Sequence, residues 1–345
     1  MKIAICSSSV PFVQGGYRNI VEWLEAKILE HGHQVEVLYI PQDDGAQTHL
    51  QQFAMYRLVD LAQSADRIIC FRPFSYAIPH DHKIVWFIHH LRIFYDLWDS
   101  NLRGFPDDAQ HRGLRDRLRE LDTAALVEAR KIYTNSRIIG ERLKFYNGLD
   151  SEILYPPIHN PENYRDLGQN DEIACVCRIE EHKRQHLLVE AMRHTRTPVR
   201  LKLSGRCADS LYSQKINQII NENGLANRVS FENRWISDQE KFDEFANCLA
   251  SAYLPLDEDS FGYPTLEAAH SSKPSITAID SGGVLEFVRN GHNGFVCHPD
   301  PADIADKMDQ LYWNRDRARI MGIEANKTIG ELEISWSHVL GKLLK

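Results

Sequence analysis

Short apolar runs alternate with amphipathic stretches from one end of the chain to the other. Residues 3–7 predict a buried strand. Ile20, Val21, Leu24 and Ile28 then share one face of a helix. More strands are predicted at 35–40, 67–71, 84–88 and 132–134, with helices at 50–61 and 136–146. Asn147-Gly148 closes the last of these as a C-terminal stop. The stretch Pro156-Pro157-Ile158-His159-Asn160-Pro161 breaks the rhythm and reads as an interdomain linker. Beyond it, strands at 173–176, 201–204, 229–231, 250–254 and 275–278 alternate with helices at 185–192, 212–223, 239–247, 264–271 and 284–289. Residues 302–324 read as helix, and 329–345 as a final helix that can cross back onto the first domain. Strands alternating with helices mean parallel sheets covered by helices. The expected fold class is therefore α/β, with two Rossmann-like domains at 1–160 and 161–325 and a C-terminal helix within 326–345. Such domains, with parallel sheets facing across a cleft, bind ligands outside the carboxyl ends of their strands.

Composition narrows this picture without changing it. A chain of 345 residues is long for one core and suits two domains. Hydrophobic residues at 43% and charged residues at 26% fit a folded chain. The net charge of −8, carried mostly by residues 166–345, opposes a role in coating nucleic acid. The seven cysteines are Cys6, Cys70, Cys175, Cys177, Cys207, Cys248 and Cys297, and no C-x-x-C pair is present. Buried thiols in a reducing compartment are expected, rather than disulfides or a metal site. No apolar run approaches the roughly eighteen residues of a membrane span. The start, Met1-Lys2-Ile3-Ala4-Ile5-Cys6, stops at Ser7-Ser8-Ser9 and reads as a strand and its turn, not a leader. The expected location is cytoplasmic, with peripheral contact at the inner face of a membrane left open.

Candidate chemistry gathers where predicted strands end. The strand at 250–254 runs into Asp257-Glu258-Asp259-Ser260-Phe261-Gly262-Tyr263-Pro264-Thr265-Leu266-Glu267-Ala268, acids followed by a helix start. Acids there can accept hydrogen bonds from sugar hydroxyls, and a helix start offers N–H groups to a phosphate. Alternatively, the acids simply stabilise a helix N-terminus. Cys177-Arg178-Ile179-Glu180-Glu181-His182-Lys183-Arg184 follows the first strand of the second domain. Arg178 and Lys183 could meet the charge that builds on a departing diphosphate, or belong to a solvated turn of mixed charge. Gly15-Gly16 opens a helix after the first strand and could approach an anion closely. His89 and His90 end the strand at 84–88, with Arg92 just beyond. Ser281-Gly282-Gly283 is a small-residue turn before a helix. Arg234 and Trp235 follow the strand at 229–231, and surface exposure or contact with a nucleotide base both suit them. Ser136 is placed to cap a helix. The arginines at 103, 112, 115, 117 and 119 could meet an anionic acceptor, though Asp107, Asp108 and Asp116 among them favour a solvated helix face.

The segment Asp259-Ser260-Phe261-Gly262-Tyr263-Pro264-Thr265-Leu266-Glu267 resembles the E-x7-E motif of retaining GT-B glycosyltransferases, in particular glycosyltransferase family 4. The first acid is Asp259 where the family has Glu, and Glu258 stands beside it. By this resemblance the first acid meets the hydroxyls of the transferred sugar, Glu258 serving if the loop is shifted by one. Phe261 to Leu266 line the donor, and Glu267 holds the ribose. Arg178 and Lys183 resemble the pair that grips the donor diphosphate, with Cys177 replacing a family glycine and Arg184 standing where a second glycine is common. Gly15 and Gly16 resemble the glycine loop under the donor phosphates. His89 matches a histidine near the reacting sugar, with His90 as the fallback, and Arg234 lies where loops approach the base. The order of Ser281-Gly282-Gly283 after Glu267 also matches.

The resemblance implies a hexosyltransferase that uses a nucleoside diphosphate sugar, UDP- or GDP-linked, in polysaccharide or glycoconjugate synthesis. It implies retention of configuration, no metal and no cofactor beyond the donor. The acceptor would be a saccharide or lipid-linked saccharide. The rival readings are another GT-B activity, such as a phosphorylase or nucleotide-sugar epimerase, and a non-catalytic partner subunit.

Overall fold

The computed structural model describes every residue except 11–15, 44, 46, 47, 101 and 102; for 16 and 17 it describes the backbone alone. The chain forms two units, Met1–Pro156 with Ser335–Lys345, and Pro157–Ile334.

The first unit is built on a six-stranded parallel sheet. Its strands are β1 (Lys2–Ser9), β2 (Gln34–Pro41), β3 (Arg67–Cys70), β4 (Lys83–Phe87), β5 (Lys131–Thr134) and β6 (Glu152–Ile153), in the order β2-β1-β3-β4-β5-β6. Both faces are apolar, as the period of a strand buried on two sides demands. Ile3 and Ile5 of β1 join one core with Ile69, Trp86 and the α1 (Gly16–Glu30) residues Val21, Leu24 and Ile28. Ala4 and Cys6 face the other core, with Phe74, Val85 and Phe87. That second face is covered by α2 (His49–Arg57) and α3 (Ala109–Val127), with α4 (Arg137–Asn147) beside α3. Ser136 caps α4 by accepting from Ile139 N–H at 3.2 Å, and Gly148 ends it in the left-handed region at φ 69°.

The second unit carries β7 (Glu172–Val176), β8 (Arg200–Ser204), β9 (Val229–Glu232), β10 (Ala250–Ala252), β11 (Ser275–Ala278) and β12 (Gly294–Cys297). Their order is β12-β11-β10-β7-β8-β9, again all parallel. The chain builds outward from β7 to β9, then returns to place β10 on the other side of β7. The reversal between β7 and β10 is a topological switch point, where the loops after the two strands diverge and leave room for a ligand. In the first unit the equivalent point lies between β1 and β3. Helices α5 (Gln185–Ala191), α6 (Ser210–Glu222), α7 (Asp238–Asn247), α8 (Tyr263–His270), α9 (Pro301–Trp313) and α10 (Arg315–Glu331) complete the unit.

Several boundaries differ from expectation. The second helix stops at Arg57 rather than 61. The helix at 302–324 is two, because Asn314 ends α9 and caps α10 by accepting from Arg317 N–H at 2.9 Å. The helix expected at 284–289 is a single 3-10 turn, Gly282–Glu286. The tail at 329–345 is not one helix. α10 runs to Glu331 within the second unit, and α11 (Trp336–Leu343) belongs to the first, where Trp336, Val339, Leu340 and Leu343 enter the α1-side core. The second unit therefore ends at Ile334 rather than at 325.

Candidate active site

The switch point of the second unit gathers the charged residues that follow β7 and β10. After β7 the chain passes Arg178 and makes a tight 3-10 turn, Glu181–Lys183. Arg184 then takes a left-handed conformation at φ 55°, ψ 36°. That conformation costs a side-chain-bearing residue about 1 kcal/mol or more and suits glycine. It is the physical reason a glycine fits this position. Arg184 is held there by a bidentate pair with Asp280, at 2.7 and 2.6 Å, and by donating to the carbonyls of Leu254 and Pro255. It thus ties the β7 turn to the ends of β10 and β11.

Lys183 is nearly buried and points at the β10 loop. Its Nζ donates to Tyr253 Oη at 2.6 Å and lies 3.2 Å from Glu258 Oε2. Tyr253 Oη donates in turn to Glu258 Oε2 at 2.7 Å. Burial works against a charge on Glu258, but the Lys183 ammonium and the Tyr253 hydroxyl hold its carboxyl below the ordinary value. Burial and the neighbouring Glu258 carboxylate push the Tyr253 phenol well up, so it remains a neutral donor. Arg178, about half exposed, pairs with Glu180 rather than joining this group. Arg178 and Lys183 are therefore brought to one turn, each with its own carboxylate. Cys177, in the place of a glycine, packs its Sγ 3.9 Å from that of Cys175 and accepts from Gln185 Nε2. All seven cysteines are free thiols.

The β10 loop rests on the turn after β11. Gly283 N–H donates to the Glu258 carbonyl at 2.8 Å, and Asp257 N–H to the Asp280 carbonyl at 2.9 Å. A Cβ on Gly282 would lie 2.4 Å from the Glu258 carbonyl oxygen, and one on Gly283 2.8 Å from Ser260. Gly262 adopts φ 69°, and a Cβ there would lie 2.3 Å from the Tyr253 ring. The glycines of both motifs thus serve one purpose, the seating of the loop that carries Glu258 and Asp259. Asp259 is half-buried in that loop. Phe261 is buried beside Phe287. The start of α8 offers fewer amides than its sequence position suggests. Pro264 has no N–H, and that of Thr265 donates to the Gly262 carbonyl. Leu266 is fully buried, and Tyr263 and Pro264 are half-buried.

Glu267 is buried one turn along α8. It is paired at 2.8 Å with Lys241 of α7. Burial opposes the Lys241 ammonium, yet Glu267 and Asp238 hold its pKa above the ordinary value. Burial and the Glu267 charge also push the Tyr164 phenol up. Arg234, for which base contact and surface exposure are both open in the sequence, is tied to Glu232 and Glu240, both at 2.7 Å. Glu240 completes a capping box with Ser237 at the start of α7, so this arginine belongs to a helix cap. Trp235 beside it is exposed.

In the first unit, Gly15 lies outside the described residues, and Gly16 opens α1. His89 follows β4 and accepts from Arg72 Nε at 3.3 Å through Nε2, with Nδ1 2.7 Å from the His90 carbonyl. Nδ1–H is therefore the donor and the ring is neutral. Burial and the Arg72 guanidinium lower its pKa to about 3. Both ring nitrogens are engaged, which suits a hydrogen-bonding group and not a proton acceptor. His90 is buried against Tyr95 and bonded to Asn147, with a pKa lowered by burial to about 4. Arg92 pairs with Asp96. The arginines of 103–119 lie on and before α3. Arg103 and Arg115 cover the Trp98 ring at 4.9 and 4.4 Å, and Arg119 covers Tyr95 and Tyr146. Arg112 pairs with Asp107, and Arg117 with Glu120.

Tyr253 and Lys241 escape a sequence reading, since a tyrosine just past a strand end and a lysine on a helix carry no spacing that marks them. Arg184 is visible only as a departure from glycine. Among the described residues, no group of three or more His, Cys, Asp or Glu side chains is arranged to hold a metal ion. Among the same residues, no helix is long and apolar enough to cross a membrane.

Residues 161–328 match the family model of glycosyl transferases group 1. The human alpha-1,3/1,6-mannosyltransferase ALG2 is 26% identical over 217 residues, 56% of this chain and 51% of that protein. The alpha-maltose-1-phosphate synthase of Mycolicibacterium smegmatis is 26% identical over 212 residues, 58% of this chain and 54% of that protein. The chain thus spans about half the length of the curated relatives it matches. Among solved structures, Anabaena Alr3699/HepE in complex with UDP and glucose superposes with a TM-score of 0.70 at 16% identity, covering 99% of both chains. Sucrose-phosphate synthase from Thermosynechococcus elongatus superposes with a TM-score of 0.77 at 15% identity, covering 99% of this chain and 98% of that one. The chain has the GT-B fold, and its second unit matches glycosyl transferases group 1 over almost its full length.

Proposed function

We propose that the protein transfers a hexose from a nucleoside diphosphate sugar to a hydroxyl of a saccharide or lipid-linked saccharide, with retention of configuration and without a metal. One observation carries the reading. The switch point of the second unit brings a buried cation, Lys183, against the acid loop that follows β10, and α8 then presents Glu267. A sugar diphosphate needs those groups together: a cation for the phosphates and acids for sugar and ribose hydroxyls. The curated relatives that match part of the chain include named glycosyltransferases, which supports the same reading.

In this reaction the bond from the anomeric carbon to the diphosphate oxygen breaks. A bond to the acceptor oxygen forms on the same face of the sugar. The acceptor proton passes to the leaving phosphate oxygen, so no side-chain nucleophile takes part. Charge grows on the diphosphate as the bond breaks, and Lys183 and Arg178 meet it. Glu267, fixed by Lys241, accepts from the ribose hydroxyls. His89, neutral at working pH, orients by hydrogen bonding and does not take the proton. The experiment is incubation with UDP-, GDP- and ADP-linked hexoses and a panel of saccharide acceptors. Acceptor-dependent release of one nucleoside diphosphate, with the donor's anomeric configuration kept in the product by NMR, is expected. Product that forms only when inorganic phosphate is supplied would overturn the proposal in favour of a phosphorylase.

A further inference from the structure

Two acids, Glu258 and Asp259, stand side by side in the β10 loop, and the surroundings of Glu258 give it a role of its own. Glu258 does not stand alone. Its Oε2 takes a hydrogen bond from Tyr253 Oη at 2.7 Å and lies 3.2 Å from Lys183 Nζ, which itself donates to the same hydroxyl at 2.6 Å. Lys183 also sits over the Tyr253 ring, 4.9 Å from its centre. The ring in turn blocks any side chain at residue 262. The backbone of Glu258 is fixed as well, its carbonyl accepting from Gly283 N–H. Ammonium, hydroxyl and carboxylate form a closed triangle, about as far from a mobile surface contact as a quarter-exposed carboxylate allows.

We propose that Glu258 is the resident counter-ion of Lys183, which a donor diphosphate must displace. This rests on the donor-binding reading above. A buried ammonium needs an anion, and Glu258 supplies one. A diphosphate oxygen that reaches Lys183 takes over the same ammonium, and the carboxylate turns away. Tyr253, fixed by its ring, stays as the neutral hydroxyl that holds the ammonium in place through the exchange. Glu258 and Tyr253 are thus positioning residues that act through Lys183. Competition of this kind weakens diphosphate binding and leaves nucleoside binding untouched.

The test is a double-mutant cycle read by calorimetry. UDP, GDP and ADP are titrated into the wild-type protein, and the one that binds is carried forward with its nucleoside as control. Glu258→Gln keeps size and the Tyr253 contact but removes the charge. It is expected to tighten the diphosphate about fivefold, the scale of one partly exposed ion pair, with nucleoside affinity unchanged. Glu258→Asp restores the charge and should return affinity toward the wild-type value. In a Lys183→Ala background, Glu258→Gln should change nothing. Melting temperatures of all variants confirm that they fold. Equal or weaker diphosphate binding by Glu258→Gln, with transfer lost, overturns the proposal and makes Glu258 the sugar acid. An equal gain in the Lys183→Ala background also overturns it, since the effect would then be general charge. No nucleoside diphosphate binding by any form, the wild type included, rejects the donor-binding reading itself and this inference with it.

Discussion

Arg184 shows how one side chain can be strained and still worth keeping. Its left-handed backbone favours glycine, yet the guanidinium makes a bidentate pair with Asp280 and two bonds to carbonyls of the β10 exit. Arg184→Gly relieves about 1 kcal/mol of strain and loses charge-assisted bonds worth about 1.5–3 kcal/mol. We expect net destabilisation of about 1–2 kcal/mol, measured by chemical denaturation. A second residue gives a pH signature. Asp122 is buried in the first unit, where it accepts from Tyr95 Oη at 2.7 Å, and burial raises its pKa to about 6. The folded chain keeps this proton to about pH 6, whereas the unfolded chain loses it near 4. Stability from this group is therefore full below about pH 4 and is lost as pH rises through 6. Wild-type stability relative to Asp122→Asn should fall by about 2 kcal/mol between pH 4 and 7. His89 and His90, held neutral by burial, pull the other way as pH drops, but equally in both proteins. A profile of the stability difference that stays flat with pH would show that Asp122 is not held protonated. None of these three states is written in the sequence. Each depends on what the fold packs around the group, and sequence spacing carries no record of burial.

Glycine is where sequence and element meet most clearly. Ser281-Gly282-Gly283 reads in the sequence as a turn of small residues without a role. In the fold it is the seat of the acid loop, because a side chain at either glycine would collide with the backbone of Glu258 or Ser260. Gly282 also takes φ 63°, so strain adds to the clash. Gly282→Ala should displace the loop and lower donor turnover at least tenfold, with stability reduced by about 2 kcal/mol, as read by steady-state kinetics and thermal melting. Unchanged kinetics would mean the loop does not need this seat. The strands and helices with clean apolar periods were legible: β1, β4, β7, β8 and α6 lie within a few residues of expectation. β6, two residues long, and β12, four residues that begin on a glycine, have too little pattern to announce themselves. The lysine-241 partner of Glu267 was also hidden, for pairing across α7 and α8 leaves no spacing rule.

At the scale of the molecule, two parallel six-stranded sheets each reverse direction once, and the reversal between β7 and β10 fixes where chemistry can sit. The alternation of strands and helices made the two sheets readable. The return of α11 to the α1-side core was readable in direction but not in extent, since α10 and α11 form one near-continuous polar–apolar pattern broken only at 332–335. The central claim is that the switch point of the second unit holds a nucleoside diphosphate through Lys183 and Glu267. Calorimetric titration of UDP, GDP and ADP into wild type, Lys183→Ala and Glu267→Gln tests it most directly. One diphosphate should bind the wild type, and each variant should weaken it about tenfold or more, Lys183→Ala sparing the nucleoside and Glu267→Gln weakening nucleoside and diphosphate alike. Binding that both variants leave at the wild-type affinity would contradict the account.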